Sequence, residues 1–165
     1  MDWLILMPLL AACASAAATG ALFQPGSWYR GLDKPAWTPP NWLFPVAWTT
    51  LYLMIALAAW LIATTKHEWA TLGLALWAWQ LTLNAIWSPV FFGLRRLRIA
   101  LGVISLLWLV IAAMIVVFAP IHAGAAWLLV PYWVWISYAV ALNTTIYQRN
   151  PSEAPLSPSE QPRDA

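Results

Sequence analysis

Apolar stretches of twenty or more residues, separated by short charged punctuation, dominate the pattern along this chain. Reading each uncharged stretch as one helix predicts crossings near residues 3–23, 45–65, 69–94, 99–119 and 125–148. About 20 apolar residues cover a hydrocarbon core of about 30 Å, so each stretch is long enough to span a bilayer. The last two come from a single neutral stretch, Ile99 to Gln148, which is too long for one crossing. Pro120-Ile121-His122-Ala123-Gly124 supplies the break between them. The expected fold is therefore an all-α membrane protein, a bundle of five transmembrane helices forming one domain over residues 1–149. A loop over 24–44 follows the first helix, and the proline- and serine-rich tail 150–165 is expected to be disordered.

Composition strengthens this picture. Sixty-two per cent of the 165 residues are apolar and only 8% charged, against about 25% charged in an ordinary soluble domain. With five crossings, Arg30, Lys34, Arg95, Arg96, Arg98, Arg149 and Arg163 fall on one face and Lys66 alone on the other. The face rich in Lys and Arg is normally cytoplasmic, which predicts an outside N-terminus and an inside C-terminus. Leu10-Ala11-Ala12-Cys13 resembles a lipoprotein cleavage box, and Ala14–Ala18 a signal-peptidase site. The n-region holds Asp2 and no basic residue, so the first stretch is expected to remain as a helix, with Cys13 as a small packing residue.

Several function classes lose ground at once. No predicted crossing contains Asp, Glu, Lys or Arg, the groups on which pumps and proton relays usually depend. His67 and His122 lack partners at metal-ligand spacing, and no phosphate loop, nucleophile elbow or Cys/His cluster is present. Neither a metal site nor a nucleic-acid partner is expected.

What the sequence does offer is aromatic surface, including 14 Trp. Trp48, Tyr52 and Ile55 share one helical face, as do Asn84, Trp87 and Phe91, and Trp135, Ala139 and Asn143. The amides of Asn84 and Asn143 need partners in lipid and should point into the bundle. Ala12, Ala16 and Gly20 form a small-residue face on the first helix. The loop 24–44 mixes Trp28, Tyr29, Trp37 and Trp42 with Pro25, Pro35, Pro39 and Pro40, as expected of a stiff lid at the interface. A cavity beneath that lid would collect the stripes; a bundle core filled by rings and glued by asparagines would use the same residues.

The run Trp28-Tyr29, then Leu32-Asp33-Lys34-Pro35-Ala36-Trp37-Thr38-Pro39-Pro40, then Phe44-Pro45 and Trp48 resembles the first loop and second helix of the translocator protein family (TspO, also called the peripheral-type benzodiazepine receptor). Thr19-Gly20, Asn84 with Trp87-Ser88-Pro89, and Pro131-Tyr132, Trp135 and Leu142-Asn143 extend the resemblance over nearly the whole chain except the tail. The resemblance implies a five-helix fold, commonly a homodimer, that binds tetrapyrroles such as protoporphyrin and heme, sterols, and benzodiazepine-type ligands. It places Tyr29 and Pro39 in the lid, Trp48 and Tyr52 on the second helix, Asn84 and Trp87 on the third, and Trp135 with Ala139 on the fifth; Asn143, on the same helical stripe as these last two, joins them as a ninth candidate ligand-binding residue. No resident cofactor is required, porphyrin or heme being the ligand. In bacterial relatives the tryptophans matching Trp48 and Trp135 are implicated in light- and oxygen-dependent porphyrin breakdown, so an enzyme-like role through these two is the alternative to plain binding. A scaffold without any small ligand is a third reading. Thr144 stands where the animal sterol stretch has Tyr, which weighs against sterol binding, and the Ala- and Trp-rich composition points to a bacterial membrane.

Overall fold

A computed structural model of the chain describes residues 3–151. The expected disorder of the tail, and Arg163 with it, lies outside them except for the first two tail residues. The described residues form helices only: α1 (Trp3–Leu22), α2 (Ser27–Gly31), α3 (Leu43–Ala63), α4 (Ala70–Ser88), α5 (Leu97–Ile121) and α6 (Ala123–Arg149), with a π-helical segment, Pro89–Gly93, extending α4. Four of them, α1, α3, α5 and α6, are long and apolar enough to cross a membrane by length and composition. The fifth long helix, α4, runs 19 residues and includes Gln80, Thr82 and Asn84.

Each break has a local cause. Pro89 has no N–H to return to the preceding turn, and beyond it Leu94 N–H bonds to the Pro89 carbonyl at 2.8 Å, one residue wider than an α-turn. This converts the end of the predicted 69–94 helix into a π segment. Arg95 then adopts φ 54°, a left-handed conformation uncommon outside glycine, and α5 begins two residues later. At the other end of α5, Pro120 precedes an extended His122 with φ −156°. The His122 Nδ1 accepts the Ala125 N–H at 3.2 Å, so this histidine caps α6, in keeping with a structural rather than ligating role.

The core is built around α3, whose Ile55, Ala56, Ala58, Ala59 and Ile62 are fully buried. Three alanines in five positions allow close approach by neighbours, which matters where hydrocarbon outside gives apolar groups no reason to turn inward. Leu107, Ile111, Met114 and Phe118 of α5 and Leu129, Tyr132 and Ile136 of α6 complete the packing. The small face of α1 is turned to the bundle at Cys13 and Ala16, while Leu4, Leu53, Val116, Trp127 and Val134 project outward.

The ends also assemble as the charge pattern predicts. Asp33 of the first loop meets Arg149 at 3.3 Å, and the Asn150 side chain both accepts from Asp33 N–H and donates to its carbonyl, each at 3.0 Å. Arg95 lies over the Trp28 ring, 5.8 Å from its centroid. The first loop, the turn at residues 94–96 and the end of α6 therefore occupy one end of the bundle. Within the loop, the sequence missed α2, whose rings dock on the π segment.

A β-carbon on Gly73 would stand 3.0 Å from Phe118 Cε1 and 3.4 Å from Ile62 Cγ2, whereas one on Gly102 meets nothing within 4 Å. Gly73→Val is thus expected to destabilise the bundle by about 1–3 kcal/mol. Gly102→Ala should be neutral or stabilise by about 0.4–1 kcal/mol. Unfolding midpoints of the two variants in detergent check the contrast.

Candidate functional site

Buried inside the bundle, a run of side-chain hydrogen bonds joins three helices. Tyr52 of α3 donates its hydroxyl to Asn84 Oδ1 on α4 at 2.7 Å, and Asn84 Nδ2 donates to the Tyr132 hydroxyl on α6 at 2.8 Å. Tyr132 in turn donates to Gln80 Oε1 at 3.0 Å, one turn along α4 from Asn84. The direction of donation is consistent throughout, because each hydroxyl has one proton and the amide ends differ. Trp48 lies one turn from Tyr52, its ring 5.3 Å from the Tyr52 ring and 6.2 Å, edge-on, from that of Tyr132. Three predicted residues, Trp48, Tyr52 and Asn84, are thereby brought together. Gln80 and Tyr132 were not in the predicted set. The signal for Gln80 was available, as an amide one helical turn before Asn84 in an otherwise apolar face.

A second group lies under α2. The Trp87 and Phe91 rings stack at 5.0 Å and 25°, and Phe92 packs edge-on to both. Tyr29 meets Phe91 at 6.0 Å and Phe92 at 5.4 Å, and Trp28 meets Phe91 at 6.0 Å. Edge-to-face geometry at these distances is attractive beyond the area buried. The lid therefore rests on Trp87 through one layer of phenylalanine. Burial, with Tyr138 adding a smaller contribution, pushes the Tyr29 hydroxyl above its ordinary value. Lys34 folds over the Tyr29 ring, 4.9 Å from its centroid, and donates to the carbonyls of Tyr29, Arg30 and Leu32, closing the carboxyl end of α2.

Third, a groove of about 510 Å³ opens between the loop and the outer side of α6, lined by Trp37, Pro39, Pro40, Leu43, Pro131, Val134, Trp135 and Tyr138. The Tyr138 hydroxyl donates to the Trp37 carbonyl at 2.6 Å, and the two rings meet at 5.4 Å. Trp135 packs edge-on against Phe44 at 6.0 Å. Of the predicted residues Pro39 and Trp135 share this groove, and Trp37 and Tyr138, outside the predicted set, hold its loop side to α6. Pro131 contributes no N–H, so the groove floor is a helix interrupted in its hydrogen bonding.

Ala139 is half-buried against the main core, and Asn143 is buried, 5% exposed. Asn143 Nδ2 donates to the Ala139 carbonyl at 3.1 Å on its own helix, but its Oδ1 has no partner among the described residues. The same is true of Trp87 Nε1 and Gln80 Nε2. A buried polar atom in that state normally has a water or a ligand as partner. The nine predicted residues therefore divide between an internal hydrogen-bonded cluster, a lid layer, a lateral groove and the Ala139–Asn143 turn of α6.

Comparison with known proteins places these features in a wider set. A family model described as the TspO/MBR family matches residues 4–149. The chain is 47% identical over 147 residues to Protein CrtK of Rhodobacter capsulatus, covering 88% of this chain and 92% of that protein. It is 45% identical over 143 residues to the tryptophan-rich sensory protein of Cereibacter sphaeroides, covering 87% and 89% of the two chains. Against the translocator protein of Homo sapiens it is 33% identical over 154 residues, covering 90% and 91%.

The hydrogen-bond run makes an ordering of substitutions. Tyr132→Phe leaves both Gln80 Oε1 and Asn84 Nδ2 without that partner, whereas Tyr52→Phe leaves only Asn84 Oδ1. Tyr132→Phe is expected to cost about 2 kcal/mol and Tyr52→Phe about 1 kcal/mol in detergent unfolding titrations. Equal costs, or the reverse order, would contradict the assigned donors and acceptors.

Proposed function

The chain belongs to the TspO/MBR family, and from that premise we propose that it is a membrane-embedded receptor for porphyrins and other flat hydrophobic molecules. It is a multi-pass integral membrane protein. In this reading α4, tied to α3 and α6 by the buried amides, is a fifth crossing, and residues 1–149 are one domain. The end holding Arg30, Lys34, Arg95, Arg96, Arg98 and Arg149 faces the cytoplasm, with the N-terminus outside. A homodimer is taken from the family resemblance. The name of the Cereibacter relative, a tryptophan-rich sensory protein, fits a receptor or regulator better than a pump, and a passive conduit stays within the same reading.

One observation carries the proposal. Trp87 Nε1 and Asn143 Oδ1, a donor and an acceptor on two of the predicted ligand-facing residues, are buried without a partner among the described residues. Broad aromatic faces on Trp48, Trp87 and Trp135 accompany these unmatched polar atoms. A flat aromatic ligand carrying both hydrogen-bond donors and acceptors matches such a set, since stacking adds about 0.5–1.5 kcal/mol per ring pair to burial. Neither sterols nor plain acyl chains use it fully.

Titration of the purified protein with protoporphyrin, followed by tryptophan quenching and the Soret band, tests the reading. Trp87→Ala and Trp135→Ala should each weaken binding about tenfold, equivalent to about 1.4 kcal/mol. Trp87→Phe should recover part of the loss by restoring a ring without the N–H. Unchanged affinity in both alanine variants would remove the binding reading.

The enzyme-like alternative draws on Trp135, which stands in the wall of an open groove next to Tyr138 at 6.1 Å, an arrangement of two oxidisable rings accessible from outside. On illumination in air, this reading expects bound porphyrin to lose its Soret absorbance faster than free porphyrin, and more slowly in Trp135→Phe. Loss no faster than in free porphyrin leaves binding alone.

A further inference from the structure

Six cations gather at the lid end of the bundle, Arg30, Lys34, Arg95, Arg96, Arg98 and Arg149, and Asp33 is the one carboxylate among the described residues there. Two of the six are occupied. Lys34 Nζ donates to three carbonyls at 2.7 to 3.2 Å, and Arg149 pairs with Asp33 at 3.3 Å. The other four guanidinium groups meet no carboxylate among the described residues. In Arg95 that group is held in place, half-buried, 5.8 Å from the centroid of Trp28, whose ring rests in turn on Phe91. Arg30, two residues from Trp28 on α2, is turned to another face of that helix, while Arg96 and Arg98 are exposed on either side of the buried Leu97 that begins α5.

Apolar surface adjoins these cations on the membrane side. A β-carbon on Gly93 would lie 2.9 Å from the Phe23 ring, so the end of α1 packs against the turn that leads into Arg95. Leu94 is 55% exposed and Ile99 50% exposed, on either side of Arg95, Arg96 and Arg98, and Leu22 and Phe23 are exposed beside them. A guanidinium fork matches two phosphate oxygens, and it is less strongly hydrated than an ammonium, which suits a site at the lipid boundary. Free phosphate would use the cations and ignore the exposed leucine and isoleucine. A phospholipid would use both. Among the described residues the opposite end of the bundle has no comparable arrangement, since Lys66 is the one Lys or Arg there and Glu68 is two residues away.

We propose that Arg95, Arg96 and Arg98 form a binding site for the phosphodiester headgroup of an anionic phospholipid, whose acyl chains lie along Leu94 and Ile99. Because Arg95 is stacked on Trp28, a lipid bound here braces α2 and hence the lid from outside. This inference uses only the membrane location and stands independently of which small molecule the bundle binds.

The test uses the full chain in phosphatidylcholine nanodiscs with increasing phosphatidylglycerol, the lipids retained on extraction being counted by native mass spectrometry. Wild-type protein should retain phosphatidylglycerol in preference to phosphatidylcholine. The triple variant Arg95→Asn, Arg96→Gln, Arg98→Gln should lose about tenfold of that preference. Asn is chosen at 95 because it tolerates the left-handed backbone there. Lys66→Gln should retain the preference in full. Equal retention of the two lipids by wild type, an unchanged preference in the triple variant, or the same loss in Lys66→Gln would overturn the proposal. Complete displacement of phosphatidylglycerol by millimolar inorganic phosphate would also overturn it, by showing a bare anion site.

Discussion

Hydrocarbon offers no hydrogen bonds, so polar side chains placed inside this bundle are drawn to partners within it, and the run Tyr52, Asn84, Tyr132, Gln80 joins three helices in this way. Water outside a soluble protein would drive α3, α4 and α6 together through their apolar faces. Lipid does not. Here the small alanines of α3 set how closely the helices approach, and the buried amides set which rotation of α4 is allowed. Turning α4 by one residue would take Asn84 and Gln80 away from both tyrosines at once, because the two amides are one turn apart on one face. The same rotation carries Trp87 and Phe91, the ledge on which the lid rests, so the interior hydrogen bonds determine where the lid can sit.

The lid in turn is held by three different interactions. Edge-to-face rings join Tyr29 and Trp28 to the π segment, Asp33 is tied to Arg149 and Asn150, and Tyr138 holds Trp37 to α6. The ion pair is solvent-exposed and contributes little to stability, about 0–1 kcal/mol at most. Its value is positional, because it and the Asn150 bonds bring the loop to the end of α6. The loop and α6 then close over the space between them without burying a charge.

Much of this was legible in the residues. The uncharged stretches near 3–23, 45–65, 99–119 and 125–148 correspond within a few residues to helices Trp3–Leu22, Leu43–Ala63, Leu97–Ile121 and Ala123–Arg149, since charges or the Pro120–Gly124 break lie near most of their ends. Helical spacing also placed Trp48, Tyr52 and Ile55 on one face, and the asparagines inside. What spacing could not tell is which neighbour a face meets. Trp135 and Ala139 lie on one stripe and both pack against the core, yet only Trp135 also lines the groove under the loop. Tyr132 and Gln80 escaped notice because their importance comes from each other and from Asn84, across helices distant in sequence. Helix α2 escaped because five residues have little intrinsic tendency to form a helix; it depends on Phe91 and Phe92 beneath it and on Lys34 closing its carbonyls.

The abundance of tryptophan follows from the same constraint. An ionised side chain at the bilayer centre costs several kcal/mol, about 2.5–3.5 by insertion measurements, while an indole offers a wide apolar face and a single N–H. When that N–H is engaged, the residue is a fastener: Trp77 donates to the Ile55 carbonyl at 3.2 Å and Trp108 to Ser137 Oγ at 2.7 Å, each joining two helices. Three buried indoles, Trp60, Trp87 and Trp133, have no acceptor among the described residues. Trp133 is stacked on Trp108 and serves the α5–α6 contact. Only Trp87 combines an unmatched donor with rings that reach the lid, through Phe91 and Phe92 to Tyr29. The same side chain thus fastens helices at Trp77 and Trp108 and at Trp87 leaves its polar atom unmatched beneath the lid, and it is the neighbours of each indole, not the residue type, that set the difference.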